Sequence, residues 1–138
     1  MMKIRPWCAL LAALLIAGCA SPESLATVRS EISHFRDLVA MHRFRQIYSE
    51  ASDDLRNTAT EEQIVTMLSA IDRKLGAVKD SQDNGWKVDF RTSGTVVTLS
   101  LKTTFERGTG IETFVYRVAG KEASLLGYHI NSNDLLIN

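Results

Sequence analysis

Residues 97–105 read VTLSLKTTF, and this stretch decides the fold class because apolar and polar side chains alternate along it. A period of two sends successive side chains to opposite faces of a strand. Residues 114–118, FVYRV, repeat that period, with residues 112, 113, 115 and 117 assigned to the polar side. Gly108-Thr109-Gly110 between the two stretches is typical of a turn. The pattern predicts an antiparallel hairpin with one buried face.

The alternation continues on both sides of this hairpin. Before it, three apolar side chains share one face, namely Trp86, Val88 and Phe90. After a second predicted turn at Gly120-Lys121, the apolar positions are Leu126, Tyr128 and Ile130. Residues 77–131 therefore predict a meander of about four to five antiparallel strands. The side chains expected to be buried in it are Leu99, Leu101, Phe105, Phe114, Tyr128 and Ile130.

Before residue 77 the apolar residues recur at intervals of three and four. One such stripe predicts a long amphipathic helix and consists of Leu25, Val28, Ile32, Phe35, Leu38, Val39 and His42. It indicates a core-facing surface, and a helix lying on a membrane is the alternative. A second helix is predicted over residues 44–56. A third follows a capping box of Thr60 and Gln63 and ends at Gly76.

Helices followed by an antiparallel meander predict the α+β class. We expect N-terminal helices, one of them long, to pack on one face of a curved antiparallel sheet. Residues 25–138 are long enough for one domain with a core of its own, and too short for two.

Residues 1–18 have the organisation of a secretory signal. Lys3 and Arg5 form a positive start, and residues 8–17, CALLAALLIA, are apolar and uncharged. This run is too short to span a bilayer, because a membrane-spanning helix needs ~20 apolar residues. The segment ends with Ile16, Ala17, Gly18 and Cys19.

This ending resembles the bacterial lipobox, in which an aliphatic and two small residues precede cysteine. The resemblance implies cleavage after Gly18 and attachment of acyl chains such as palmitate through the Cys19 thiol. Residues 19–24 would then be a lipidated cysteine and a short tether. Ala20 stands where aspartate retains such proteins in the inner membrane, which implies the outer membrane facing the periplasm. The alternatives are an ordinary secretory signal with an incidental cysteine, or a buried apolar helix.

The mature chain is close to neutral and, under this prediction, has no free thiol. Loss of Lys3 and Arg5 leaves 14 basic residues against 16 acidic ones, so nothing in the charge predicts nucleic-acid binding. Cys8 leaves with the signal and Cys19 carries lipid. We therefore expect no disulfide, no metal and no cofactor in the folded part.

Three pieces of the chain resemble a family of small secreted bacterial proteins. They are residues 48–55 (YSEASDDL), Leu75-Gly76 and residues 105–131, which include FERG, ETF and LGYHIN. The resemblance implies a cystatin-like or nuclear-transport-factor-2-like cone, in which a curved antiparallel sheet wraps a long helix. The family brings no established activity, so the resemblance implies a fold and no function.

The chain offers few groups for chemistry. His34 and His42 lie roughly 80° apart on a helix, so they cannot share a metal. The carboxylates of Glu50, Asp53 and Asp54 lack the spacing of a cation loop and predict a solvated helix face.

A cluster of arginines, Arg36, Arg43 and Arg45, is typical of cations favoured at a helix end, and contact with lipid headgroups is the alternative. A ketosteroid-isomerase-type enzyme would pair Asp89 with Tyr116 or Tyr128. Because Asp89 alternates with Val88 and Phe90, it should point away from the surface that they line. No catalytic residue is predicted.

The sequence therefore predicts a membrane-anchored, non-catalytic binding or interaction module. Its partner would be an envelope protein or a small apolar ligand, and a purely structural accessory is a further alternative. The predicted lining of the pocket or core is Phe35, Tyr48, Phe105, Phe114, Tyr116 and Tyr128. A cavity among Phe35, Tyr48, Phe105 and Phe114 would favour a ligand, and a filled core would favour a protein partner.

Overall fold

Four helices precede a four-stranded antiparallel sheet in the computed structural model, which describes residues 23–137. The helices are α1 (Glu23–Ala40), α2 (Phe44–Glu50), α3 (Asp53–Thr58) and α4 (Glu61–Leu75). The strands are β1 (Val78–Arg91), β2 (Gly94–Phe105), β3 (Gly108–Ala119) and β4 (Glu122–Asn131), followed by α5 (Asp134–Ile137). The predicted α+β class is confirmed. The predicted signal, the lipobox and Cys19 lie outside the described residues.

The long helix α1 packs its apolar stripe on the sheet. Its buried side chains are Leu25, Val28, Ile32, Phe35 and Leu38. The helix ends at Ala40, so the prediction that His42 continues the stripe is wrong; His42 is exposed and has a φ of 56°. Burying each large apolar side chain contributes roughly 1.5–3 kcal/mol, so this stripe is a main source of stability.

The third predicted helix, α4, is confirmed with its capping box. The Thr60 hydroxyl accepts from the Gln63 N–H at 3.2 Å, and the Gln63 side-chain oxygen accepts from the Thr60 N–H at 2.9 Å. Gly76 ends the helix with a φ of 77°, a conformation that is strained for residues with a Cβ. α4 therefore begins and ends where the sequence predicts.

The prediction of one helix over residues 44–56 is wrong, because the chain breaks into α2 and α3 at Ala51 and Ser52. The Ser52 hydroxyl accepts from the Leu55 N–H at 3.2 Å and caps α3. The Ser52 N–H donates to the Leu125 carbonyl at 3.0 Å. The break thus ties the helices to β4.

The strands pair in the order β1-β2-β3-β4, and every neighbouring pair is antiparallel. The face under the helices, here called the inner face, holds the alternating apolar side chains of β2 and β3. Four of the six side chains expected to be buried are buried: Leu99, Leu101, Phe105 and Phe114. Tyr128 and Ile130 on β4 are half-buried.

The prediction that Leu126 shares the apolar face with Tyr128 is wrong because β4 contains a bulge. Val115 pairs with Gly127, whereas Tyr116 pairs with Leu125. The extra residue reverses the alternation at Leu126, and Leu125 is the leucine that the core buries.

The predicted turn at Gly108-Thr109-Gly110 is also wrong, since the turn is formed by Glu106 and Arg107. Gly108 already pairs with Phe105 in the sheet. A Cβ on Gly108 would lie 2.7 Å from the Asp134 side chain, which accepts from the Thr109 N–H at 2.9 Å. The glycine therefore serves close packing of α5 against β3.

The edge strand β1 extends the inner face beyond the helices. Trp86 pairs with Leu99 and Phe90 with Thr95, so both aromatic residues lie on the inner side. Yet 54% of Trp86 and 80% of Phe90 is exposed. Alternation assigned the face correctly, but α1 does not cover this corner of the sheet. Among residues 23–137 no helix combines the length and apolarity needed to cross a membrane.

Candidate functional site

A pocket of about 700 Å³ opens between the C-terminal halves of α1 and α4 and the sheet. Pockets that bind small molecules commonly have volumes of about 300–1,000 Å³. Its lining includes Phe35, Arg36, Leu68, Ile71, Val78, Phe105, Glu112 and Tyr128. The space over this part of the sheet is therefore a cavity and not a filled core.

A buried carboxylate organises the polar side of this pocket. Glu112 on β3 is only 3% exposed. Its Oε2 accepts from Arg36 Nη2 at 2.9 Å and from the Thr103 hydroxyl at 2.6 Å, and its Oε1 accepts from the Tyr128 hydroxyl at 2.8 Å. Arg36 also donates to the Ser81 hydroxyl at 3.1 Å. These five residues, here called the polar cluster, come from α1 and all four strands.

Arg36 has donor capacity left after these contacts. Its Nε–H is buried and has no hydrogen-bond partner among the described residues. A buried donor without a partner costs about 1–3 kcal/mol. Arg36 also lines the pocket and its side chain is 24% exposed, so its guanidinium is a donor group that a ligand could meet there.

Three aromatic rings pack together beside the pocket, and two of them, Phe35 and Tyr128, line it. The ring centroids of Phe35 and Phe114 are 5.2 Å apart with the rings nearly perpendicular, and those of Phe114 and Tyr128 are 5.0 Å apart. The Phe35 and Tyr128 centroids are 5.3 Å apart. Aromatic pairs at these separations attract beyond their buried area. The packing fixes the Tyr128 ring and so aims its hydroxyl at Glu112.

The Tyr128 hydroxyl is held in its neutral form. Burial, together with the charge of Glu112 and the hydrogen bond to it, raises the pKa of Tyr128 well above its usual range, while Arg36 opposes this shift. Burial and the charges of Glu31 and Glu50 raise the pKa of Tyr116 as well. Tyr128 therefore acts as a hydrogen-bond donor to a carboxylate that already accepts from Arg36 and Thr103.

The predicted lining residues separate into two groups. Phe35, Phe105 and Tyr128 line the pocket, while Phe114 lies in the core behind Phe35 and Tyr128. Tyr116 is buried in the core, 3% exposed. The remaining residue, Tyr48, donates its hydroxyl to the Ala59 carbonyl at 3.1 Å and so fastens α2 to the end of α3.

The sequence prediction missed the two charged residues of the pocket. Glu112 was assigned to the polar side of its strand, which is wrong: it is two residues from Phe114 and shares its face. Strict alternation along the strand would have placed Glu112 on the buried face. Arg36 was grouped with Arg43 and Arg45, but it is half-buried against the sheet and reaches Glu112.

The structure does not bring Asp89 to a tyrosine, the pairing that an isomerase-type enzyme would have needed. Asp89 pairs with Val96 near the end of β1, and its carboxylate contacts Lys87 at 3.1 Å. The carboxylate that meets Tyr128 is Glu112 instead. Asp89 points away from the inner face, as its alternation with Val88 indicates.

The acidic residues of α2 and α3 are distributed over separate contacts. Glu50 accepts from Gln46 at 2.7 Å and contacts His34 at 2.8 Å, and Asp54 pairs with Arg117 at 2.7 Å. Asp53 pairs with Arg56. Within residues 23–137 no three His, Cys, Asp or Glu side chains come together as a metal site would require.

Comparison with known proteins yields no relative: no protein-family model matches the chain, and no curated protein is significantly similar to it. The resemblance to the cystatin-like and nuclear-transport-factor-2-like family therefore stays a prediction. The class that the fold defines is an α+β domain with a pocket between its helices and its antiparallel sheet.

Proposed function

We propose that this chain is exported, lipidated on Cys19 and anchored to the outer membrane, where its pocket binds a small, largely apolar molecule without catalysis. One observation carries the proposal: the cavity of about 700 Å³ beside the buried pair of Arg36 and Glu112. A cavity favours a ligand over a protein partner, because a protein partner needs no space inside the fold.

The chemistry of the lining indicates an uncharged ligand with a hydrogen-bond acceptor. Three arginines and four carboxylates contribute to the lining, which gives little net attraction for an ion: Arg36, Arg73, Arg107, Asp37, Asp72, Glu106 and Glu112. Arg36 is itself neutralised by Glu112 at 2.9 Å. Phe35, Phe105 and Tyr128 would contact the apolar body of the ligand, and the Arg36 guanidinium would receive a carbonyl, ether or hydroxyl oxygen.

The anchor rests on residues 8–19, whose apolar run ends in Ile-Ala-Gly-Cys. Each buried methylene of an acyl chain contributes ~0.8 kcal/mol, so two or three chains make attachment nearly permanent. Changing Cys19 to Ala should abolish labelling by palmitate and leave the uncleaved precursor. Mass spectrometry of the protein purified from membranes checks both results, and a cleaved product without lipid on Cys19 would refute the anchor.

The pocket is tested by filling it. Ala40 on α1 is exposed and lines the pocket, whereas Ala26 is exposed on the same helix outside that lining. In a form of the chain that begins at Ala20, N-phenyl-1-naphthylamine, an uncharged apolar dye, should bind saturably with one site. Ala40→Trp should weaken this binding at least tenfold, and Ala26→Trp, the matched control, should not.

Equal binding by both variants would show that the dye does not use the pocket. The interaction module would be favoured by two results together. The unchanged protein would show no saturable dye binding, and a protein partner would be recovered with it from the envelope.

A further inference from the structure

An exposed apolar patch lies on the edge strand, away from the pocket. It consists of Trp86, Val88 and Phe90 and is called the β1 patch below. Val88 packs against the hydrophobic core, so the patch is continuous with it. Trp86 is 54% exposed and Phe90 80% exposed. Large aromatic side chains adjoining a core and left open to solvent usually mark a contact surface.

Two contacts of α1 locate the beginning of the chain near this patch. Arg36 bonds to Ser81 at the start of β1, and Arg29, two turns earlier in the helix, bonds to Asp83 at 2.6 and 2.9 Å. Moving toward the N-terminus of α1 therefore means moving toward the C-terminal end of β1. Glu23, at the start of α1, lies at the end of the sheet that carries the β1 patch.

The length of chain before α1 then limits how far the patch can be from the lipid. Three residues lie between Cys19 and Glu23, so the two are four steps apart along the chain, which at ~3.5 Å per step is at most about 14 Å. This step rests on the proposed lipid anchor at Cys19. With the anchor in place, the end of the domain carrying Trp86 and Phe90 faces the membrane surface.

We propose that the β1 patch inserts into the headgroup–acyl boundary of the leaflet that holds the Cys19 lipid. Trp and Phe are side chains that partition into this boundary. Lys87 and Arg91 alternate with the patch on β1, where they can remain at the headgroups while the aromatic rings enter. The patch thereby forms a second membrane contact, which sets the orientation of the domain on its short tether.

A second copy of the chain, pairing edge to edge through β1, fits the strand less well. The register of β1 shifts between Val78 and Asp80 and again between Asp83 and Gly85. Bulges and charged side chains on an edge strand oppose the addition of another strand. The irregular half of β1 thus disfavours pairing with another strand, while the half that carries Trp86 and Phe90 stays exposed for contact with the membrane.

The protein contains its own reporter for the test. The sequence has two tryptophans, Trp7 and Trp86, and cleavage after Gly18 leaves Trp86 alone. The lipidated protein, purified from membranes, is incorporated into phosphatidylcholine vesicles with and without bromine on the acyl chains. We expect a blue shift of the Trp86 emission and loss of most of its intensity in the brominated vesicles.

Two matched variants separate insertion from mere proximity. Phe90→Asp should restore most of the Trp86 intensity, since a carboxylate resists entry into lipid. Leu136→Asp changes an equally exposed apolar residue at the opposite end of the sheet and should leave the quenching unchanged. Mass spectrometry of the same sample reports whether Cys19 carries lipid.

The outcomes distinguish this inference from the anchor beneath it. Lipid on Cys19 with unquenched Trp86 overturns the inference and leaves the anchor standing. A Cys19 without lipid overturns both. An emission shift that depends on protein concentration and not on bromine identifies a second copy as the occupant and also overturns the inference.

Discussion

The inner face of the sheet has two halves that differ in what covers them. Around Val97 and Tyr116 the side chains of α1 fill the space, and Val97 is completely buried. Around Phe105 and Glu112, farther along the same two strands, the side chains border the open pocket. Residues of both halves alternate with the same period, so the difference arises from the packing of the helices.

The two halves together explain how a small domain tolerates a cavity. The filled half supplies the apolar burial that stabilises the fold. In the open half the buried carboxylate of Glu112 is satisfied internally, since it receives three hydrogen bonds, from Arg36, Thr103 and Tyr128. Stability should therefore depend more on the filled half, and ligand binding on the open half.

The largest effect should come from Phe114, which is completely buried between the two halves. Phe114→Ala should lower the free energy of unfolding by about 3–5 kcal/mol, because it removes a buried ring and leaves a cavity. Urea unfolding followed by circular dichroism measures it. Leu136→Ala, at an exposed residue, serves as the control and should change little. A loss as small as that of the control would mean that the core is not centred on Phe114.

A smaller loss is expected when the buried ion pair is broken. Glu112→Leu leaves Arg36 without its anion and should cost about 2–3 kcal/mol, and adding Arg36→Met should recover much of it. The exposed pair of Arg29 and Asp83 is the control, and Asp83→Ala should cost less than about 1 kcal/mol. Simple addition of the two single losses in the double variant would contradict the pairing.

Two tyrosines on the inner face should respond differently to loss of the hydroxyl. Tyr128→Phe removes a hydrogen bond to the Glu112 carboxylate and should cost about 1.5 kcal/mol. The Tyr116 hydroxyl makes no hydrogen bond within residues 23–137, so Tyr116→Phe should change stability by less than about 0.5 kcal/mol. Thermal unfolding of both variants at pH 7 decides it. Equal losses of stability would show that the hydrogen bond from Tyr128 to Glu112 adds nothing to the stability that the packed ring provides.

The smallest effect at neutral pH concerns titration of the same hydroxyl. Because the folded state raises the pKa of Tyr128, the unfolded chain releases this proton first, near its usual value of about 10. Stability should be unaffected at lower pH and fall as the pH rises beyond that value. In Tyr128→Phe the melting temperature should fall less between neutral and strongly alkaline pH. An identical alkaline profile would exclude Tyr128 as a contributor.

Periodicity predicted most of the fold, because the alternation in β2 and β3 and the stripe of α1 each record one buried face. It could not predict the bulge at Leu126, which is an irregularity in the pairing of β4 with β3, or the break at Ser52, where the chain contacts Leu125 of β4. Periodicity could not predict the cavity either. Whether the space beside Phe105 is filled depends on how α1 and α4 cross the sheet, which no local pattern records.

The sequence predicted the aromatic residues of the candidate site but not its charged pair. Phe35, Phe105 and Tyr128 were recognised as aromatic residues on apolar faces. Glu112 could have been predicted as a site residue because it lies two positions from Phe114 and so shares its buried face. A carboxylate at a buried position needs hydrogen-bond partners there. Its partner Arg36 is 76 residues away in the chain, and only the fold brings the two together.

The length of α1 has a consequence for the route of the ligand. Its 18 residues span about 27 Å, and the pocket borders the end of the helix that is remote from Cys19. With the proposed anchor at Cys19 in place, an entrance at that height would lie out of reach of molecules that diffuse laterally within the leaflet. Its cargo would have to arrive through the aqueous compartment, which favours molecules with measurable water solubility over acyl lipids.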